Sequence, residues 1–436
     1  MKKVELLSPA GNLDKLKYAI HYGADAVYMG LPTFGLRSNK KAFTWDDLEY
    51  GIEYARNHNV KVYITTNIFP RNHELDRIPD YFKKLSKLNP DGLIIADIGI
   101  MELAKEYLPN VQIHVSTQAN TMNWLTAKFW YNYGASRVVL ARELSLKEIS
   151  TIKTKVPDLE LETFIHGAMC MAYSGRCLIS SYINMRDANH GDCTNSCRWN
   201  YKLVEETRPG EYFPIEEDET GTYFFNSKDL CLVSYIPDLI NSGVCSFKIE
   251  GRTKSEYYLS IVTRAYRKAI DNYYENPESY NPLPFLAEIL TTSHRGFTSA
   301  FIGEHQKDSP ELQNYESAGA TQYYDFVAVV KSYDNKRKVA LIEGKNRINL
   351  GDELEFVTKD NVFKKKIDKI INIDNQEVNK VDPNKLYYLE LDFSIDEYTM
   401  IRRRNIKISE EEMKKIIKDD YISLGQNLKV LKETFV

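Results

Sequence analysis

At 436 residues, with 43% hydrophobic and 27% charged residues, the chain has the composition of a folded globular protein and not of a disordered one. Its net charge of −4 argues against a chain that coats nucleic acid non-specifically, though it leaves room for a local basic patch. No apolar run nears the roughly eighteen residues needed to span a bilayer, and the start, Met1 to Pro9, is too short for a signal peptide. A cytoplasmic protein with no membrane partner is expected, and there cysteines read as metal-binding or catalytic.

From Val4 to about residue 275, short β-rich runs alternate with helical periodicity. The runs are Val4–Leu7, Ala26–Gly30, Lys61–Ile68, Gly92–Asp97, Gln112–Thr117, Arg137–Ala141, Leu161–His166 and Ser246–Glu250. Between them, stretches such as Trp45–His58 and Leu146–Lys155 repeat apolar residues at three- and four-residue spacing. Strand then helix, eight times, predicts an α/β fold with parallel strands, because parallel neighbours need a crossover. Eight units favour a closed (β/α)8 barrel of the TIM type over an open doubly wound sheet. No GxGxxG follows the first run, which weighs against a dinucleotide-binding domain. The barrel domain is assigned to residues 1–285, with a cysteine-rich insertion at 166–232. A connector follows over 286–321. Short alternating runs over 322–408, separated by turn signals such as Gly351-Asp352 and Asp382-Pro383, predict a small antiparallel β-barrel, and 409–436 reads as a charged helical tail.

Five of the six cysteines fall in that insertion, in the order Cys170-x6-Cys177, Cys193-x3-Cys197, Cys231, with Cys245 beyond it. Converging thiolates select zinc or an iron–sulfur cluster over hard cations. Structural zinc usually takes close Cys-x2–4-Cys knuckles, a spacing met by Cys193 and Cys197 but not by Cys170 and Cys177. Both metals stay open on spacing alone. The insertion follows the C-terminal end of a strand, where barrels place their active sites. His166, at that end, reads either as a substrate contact and proton carrier or as a residue that orients the cysteine loop. Arg142 closes the sixth run and Lys248 the eighth, positions from which cations can grip a carboxylate; salt bridges around the rim are the plainer alternative. A Cys/His peptidase pair is conceivable, but it would share its segment with several other thiols. Neither HExxH nor GxSxG occurs.

HGAMCMAYSGRCLISSY (His166 to Tyr182), NHGDCTNSCRWNY (Asn189 to Tyr201) and SKDLCLVSYIPDLINSGVCSFKIEGRTKS (Ser227 to Ser255) resemble peptidase family U32, the collagenase-like peptidases. So does LLSPAGNLDKLKYAIHYGADAVYMG (Leu6 to Gly30). The connector HRGFTSAFIG and the β-rich tail resemble the family's tRNA-modifying members. The resemblance implies hydroxylation of a wobble uridine to 5-hydroxyuridine, an iron–sulfur cluster of the [4Fe-4S] type, and dependence on prephenate. Other members act on ribosomal RNA or a ubiquinone precursor, and the family name implies a peptidase. The ligands it implies are Cys170, Cys177, Cys193 and Cys231, with Tyr173 and Arg176 beside the cluster. Members that use the Cys-x3-Cys pair add a cysteine near position 39, where this chain has Asn39. Cys245 reads as a core residue. The runs Lys336-Arg337-Lys338, Lys364-Lys365-Lys366 and Arg402-Arg403-Arg404 are candidates for tRNA phosphates, or for ordinary solvated strand edges.

Overall fold

Strands short enough to be crossed in one layer, and apolar on both faces, need helices to cover them. The computed structural model describes residues 3–31, 33–35, 43–170, 172–198, 217–218, 221–222, 227–303, 320–405 and 409–424. Within them, β1 (Glu5–Pro9), β2 (Ala26–Met29), β3 (Lys61–Thr66), β4 (Gly92–Ile95), β5 (Gln112–Val115), β6 (Arg137–Val139) and β7 (Glu160–Ala168) run in parallel in chain order. After β8 (Asp229–Cys231), β9 (Ser246–Ile249) pairs in parallel with both β7 and β1 and closes the barrel. The eight-stranded TIM-type barrel is therefore as the alternation predicts. Two strands were not legible. The short β8 lies antiparallel on β7, and β10 (Phe297–Thr298) adds to β8.

Helices α1 (Leu13–His21), α2 (Trp45–Asn57), α3 (Ile78–Leu88), α4 (Ile98–Tyr107), α5 (Trp124–Asn132), α6 (Leu146–Lys155) and α9 (Glu256–Glu275) jacket the strands, with α7 (Ile179–Asn184) and α8 (Ile236–Asn241) in the connection before β9. Side-chain N-caps start most of them: Asn12, Thr44, Asp97, Asn123, Ser145 and Ser255 each accept a hydrogen bond from the first turn. The main core lies between strands and helices. A separate cluster of Leu7, Ala26, Tyr28, Tyr63 and Ile94 fills the barrel interior beside buried charges. No helix among the described residues is long and apolar enough to cross a membrane.

After α10 (Leu283–Ile289), the second part is an eight-stranded antiparallel sheet. Its strands are β11 (Tyr324–Asp334), β12 (Val339–Gly344), β13 (Glu353–Val357), β14 (Val362–Lys366), β15 (Ile370–Asn372), β16 (Glu377–Val378), β17 (Leu386–Glu390) and β18 (Met400–Arg404). They are ordered β14-β13-β18-β11-β12-β17-β15-β16, and the end strands do not pair, so the predicted small barrel is a half-barrel. It is bonded firmly to the first part. The buried Tyr22 hydroxyl donates to the Val357 carbonyl at 2.8 Å and accepts the Met400 N–H at 3.2 Å. Arg264 Nε donates to the Thr358 carbonyl at 2.8 Å. The charged tail helix, α11 (Glu410–Ser423), returns to the barrel and buries Met413 and Tyr421 in its core.

Candidate functional site

The strand ends of the barrel open into a cavity of about 510 Å³ at the C-terminal mouth. Its floor is Lys248, Tyr28 and Phe164; its wall includes Thr65 and Ser116 from other strands and their ends. Lys248 is buried, with Nζ 2.8 Å from Glu162 Oε1 and 4.6 Å from the centre of the Tyr28 ring. Glu162 in turn meets Arg137 Nη1 at 3.1 Å, and Arg137 reaches Glu5 at 2.6 Å and Glu160 at 2.7 Å. Burial alone would raise the Glu162 carboxyl, but Lys248 and Arg137 hold it below the usual carboxylate range. Burial likewise lowers the Lys248 ammonium, against the pull of Glu162. This column of alternating charge replaces the branched apolar layers usual in such barrels and fixes Lys248 in place.

Arg142 lies over the Phe164 ring, and its Nη1 donates to the Ala168 carbonyl at 2.7 Å; its buried Nε finds no hydrogen-bond partner among the described residues. With Arg186, Lys248, Arg252, Lys254 and Arg295 it makes six cations lining the cavity, against Glu250 and Asp192. The mouth is thus locally positive in a protein of net charge −4. Arg142 and Lys248 are brought together, as the sequence suggests. Arg186, Lys254 and Arg295 were not singled out. Arg252 stands with Lys248 at the close of the eighth run, and that strand-end position was the sequence signal for it.

The cysteine segment forms one wall. Gly175 sits at φ 76°, and a Cβ there would come within 2.2 Å of the Gln118 carbonyl oxygen, so the loop between Cys170 and Cys177 can approach the end of β5 only with glycine. Glu143 holds the same loop through the Ser174 N–H at 3.0 Å. Further on, His190 sits between Asp187 at 2.9 Å and Glu74 at 3.2 Å. Cys170, Cys177, Cys193 and Cys197 all line the cavity, as does Tyr173. Burial pushes the Cys177 thiol up, and nearby Cys170 and Cys193 add to that. The Cys193 sulfur accepts from Ser180 Oγ at 3.7 Å and from the Asn195 N–H at 3.4 Å. Arg176 is exposed on the same loop.

His166 and Cys231 lie elsewhere. They are paired across β7 and β8, and a register shift in β9 opposite β7, with Gly167 at φ 113°, accompanies a turn of His166 toward the helix layer. His166 is buried among Tyr258, Tyr266 and Phe297, its Nδ1 3.4 Å from the Tyr266 hydroxyl. Burial brings its pKa down to about 3, so it is neutral there. The Cys231 sulfur lies 3.7 Å from the same hydroxyl, and burial pushes its thiol up to about 12. Neither lines the cavity among the described residues. His166 therefore stands behind the wall and not at the mouth. Cys245 donates to the Leu161 carbonyl at 3.4 Å beside β9. Asn39 lies outside the described residues.

Among the described residues no group of three or more His, Cys, Asp or Glu stands ready to hold a metal ion. The donor chemistry at the mouth nonetheless suits a soft metal: four thiols share one cavity, and cations beside them would offset the negative charge of a thiolate-bound cluster.

The family description "Peptidase family U32" matches residues 11–311, and its C-terminal domain matches 322–402. A tRNA hydroxylation protein P of Haemophilus influenzae is 40% identical over 86% of this chain and 90% of its own length. The tRNA hydroxylation protein P1 of Bacillus subtilis is 41% identical over 92% of this chain and 95% of its own. The 23S rRNA 5-hydroxycytidine C2501 synthase of Escherichia coli is 35% identical over 70% of this chain but 46% of its own length. With both family regions matched and relatives aligned over nearly their whole length, this chain belongs to peptidase family U32.

Proposed function

We propose that this chain is an RNA-modifying enzyme that hydroxylates tRNA, converting the wobble uridine to 5-hydroxyuridine with an iron–sulfur cluster and a dicarboxylate co-substrate, prephenate. The observation that carries this reading is the cationic cavity at the barrel mouth, with four thiols on its wall. Relatives named for tRNA hydroxylation match over nearly their full length and support the RNA substrate. Cytoplasmic location follows from that substrate.

A [4Fe-4S] cluster, when bound, would supply one-electron chemistry. Cys170, Cys177 and Cys193 would hold it with a fourth thiol. Family resemblance gives that place to Cys231; position at the cavity gives it to Cys197. A cation drives off the proton of a coordinating thiol, so the raised pKa of Cys231 does not decide against it. Arg142 and Lys248 would grip a carboxylate at the floor, where burial strengthens each contact. The phenyl face of Phe164, lying under Arg142 and Lys248, would keep water from that pair.

The family name supports a second reading, peptide hydrolysis. The Cys/His pair it would need is not assembled through His166, which faces Tyr266 behind the wall. Nucleoside analysis of tRNA from a strain lacking the gene tests the first reading. Loss of 5-hydroxyuridine, restored by the gene, is the expected result; an unchanged nucleoside profile would overturn it.

A further inference from the structure

Five of the fifteen exposed large hydrophobic side chains among the described residues fall between positions 173 and 185: Tyr173, Leu178, Tyr182, Ile183 and Met185. Of the rest, Leu125, Phe129 and Tyr131 share helix α5 away from the cavity lining, and the others are scattered along the chain, as single exposed apolar residues usually are. Tyr182 is 83% exposed and Met185 91%. These residues are carried by the loop and helix α7 that form the cysteine wall. Tyr173 and Ile179 line the cavity, and Tyr182 and Ile183 follow Ile179 by three and four positions, so they continue its face of the helix outward. Arg186 lines the cavity just beyond, and Arg176 is exposed on the preceding loop.

An apolar, aromatic rim beside a positive cavity is unusual for a surface with no partner. Its chemistry matches unpaired nucleotides: rings offer a stacking face to any base, while the guanidinium groups meet the phosphates. A uridine delivered into a cavity of about 510 Å³ must leave the stack of its loop, and its neighbours then lose a stacking partner. We infer that Tyr173 and Tyr182, with Met185, form a platform at the cavity rim on which the unpaired bases beside the target uridine stack. This rests on the tRNA reading above and adds to it the surface that holds the loop open.

The test is binding of a synthetic anticodon stem-loop with uridine at the wobble position to the full-length chain, followed by fluorescence anisotropy over a range of salt. Tyr182→Ala is expected to weaken binding about tenfold, within the range found for one base–aromatic stack, while Tyr182→Phe keeps the original affinity. The salt slope should be the same in both, because no phosphate contact is lost. Met185 has φ 54°, a backbone that asparagine tolerates, so Met185→Asn removes the apolar group without straining the turn and should weaken binding severalfold. Unchanged affinity in the Tyr173→Ala/Tyr182→Ala double variant, against a wild-type chain that binds, would overturn the platform alone. A wild-type chain that binds no stem-loop would overturn the tRNA reading and the platform with it. If the variants instead convert a dimer to a monomer at unchanged RNA affinity, the rim is an interface between copies and the inference falls.

Discussion

The tail sheet carries its positive charge in runs, Lys364-Lys365-Lys366 and Arg402-Arg403-Arg404, whereas the barrel mouth gathers Arg142, Arg186, Arg295 and the stretch from Lys248 through Arg252 to Lys254 from four separate segments. In the sequence only the runs look like a basic patch. In the fold they are largely spent on neighbouring strands. Arg402 is buried against Glu355 at 2.7 Å, Glu288 at 3.4 Å and Thr291 at 2.8 Å. Arg403 pairs with Asp325 and Asp352, Lys364 with Glu355, and Lys365 with Asp392. Successive residues of a strand point to opposite faces, so a run of like charge is divided between two environments. At the mouth, by contrast, closure of the barrel concentrates charges that are far apart in sequence. The location of positive charge at a barrel mouth is set by topology, and composition of a segment is a poor guide to it.

The largest effects should come from the mouth. Cys170→Ser, Cys177→Ser and Cys193→Ser are each expected to abolish iron binding in anaerobically purified protein and the hydroxylated nucleoside in tRNA. Iron analysis of Cys197→Ser and Cys231→Ser then separates the two candidates for the fourth thiol. If Cys197→Ser loses iron and Cys231→Ser keeps it, position at the cavity decides; the reverse result favours the family pattern. Stoichiometric zinc with no iron in the unaltered chain would remove the cluster from the proposal.

The buried charge column below the mouth comes next. Glu162 is fully buried between Lys248 and Arg137, so Glu162→Leu leaves two cations without their shared carboxylate. Breaking a buried pair in this way costs about 3–5 kcal/mol, well above the ~0.2–1 kcal/mol typical of an exposed pair. Denaturant unfolding should show a large drop in midpoint for Glu162→Leu. A drop no larger than that of an exposed pair such as Lys83 and Asp80 would mean the column is not held as tightly as its distances imply.

How much of this was legible follows from where the information sits. All eight parallel strands lie within a few residues of their predicted bounds, because buried β-rich runs and amphipathic helices leave local periodic signals. The clustering of Cys170, Cys177 and Cys193 was visible as spacing. The direction of His166 was not, because an irregular register beside Gly167 changes which side of the wall a residue faces. Nor was β8, only three residues long and antiparallel to its neighbour, a pairing that no crossover pattern announces. Neighbouring tyrosines of the tail likewise divide by environment, which their sequence does not announce: Tyr387 is buried in the tail core, Tyr323 packs against the barrel core, and Tyr324 and Tyr388 lie under Arg402 and Arg337.

The smallest expected effect belongs to the tail. Lys364 Nζ lies 3.7 Å from Glu355, and Lys365 Nζ lies 3.2 Å from Asp392, so two lysines of the run already have carboxylates beside them. Reversing Lys364, Lys365 and Lys366 to Glu places carboxylates against those partners, and each lost exposed pair costs about 0.2–1 kcal/mol. Stability should fall by about 0.4–2 kcal/mol in all, with iron content unchanged, because the cysteine wall lies on the barrel and not on β14. Stem-loop affinity should fall less than it does in Tyr182→Ala, and the salt slope should change little. The physical reason is that a phosphate contact adds affinity by releasing counterions, and a lysine held by a neighbouring carboxylate has few to release. A steep loss of affinity with a slope flattened by two or three would show that these lysines leave their carboxylates for phosphate. The tail would then share the RNA with the mouth, and the contrast between the two regions would describe only the RNA-free protein.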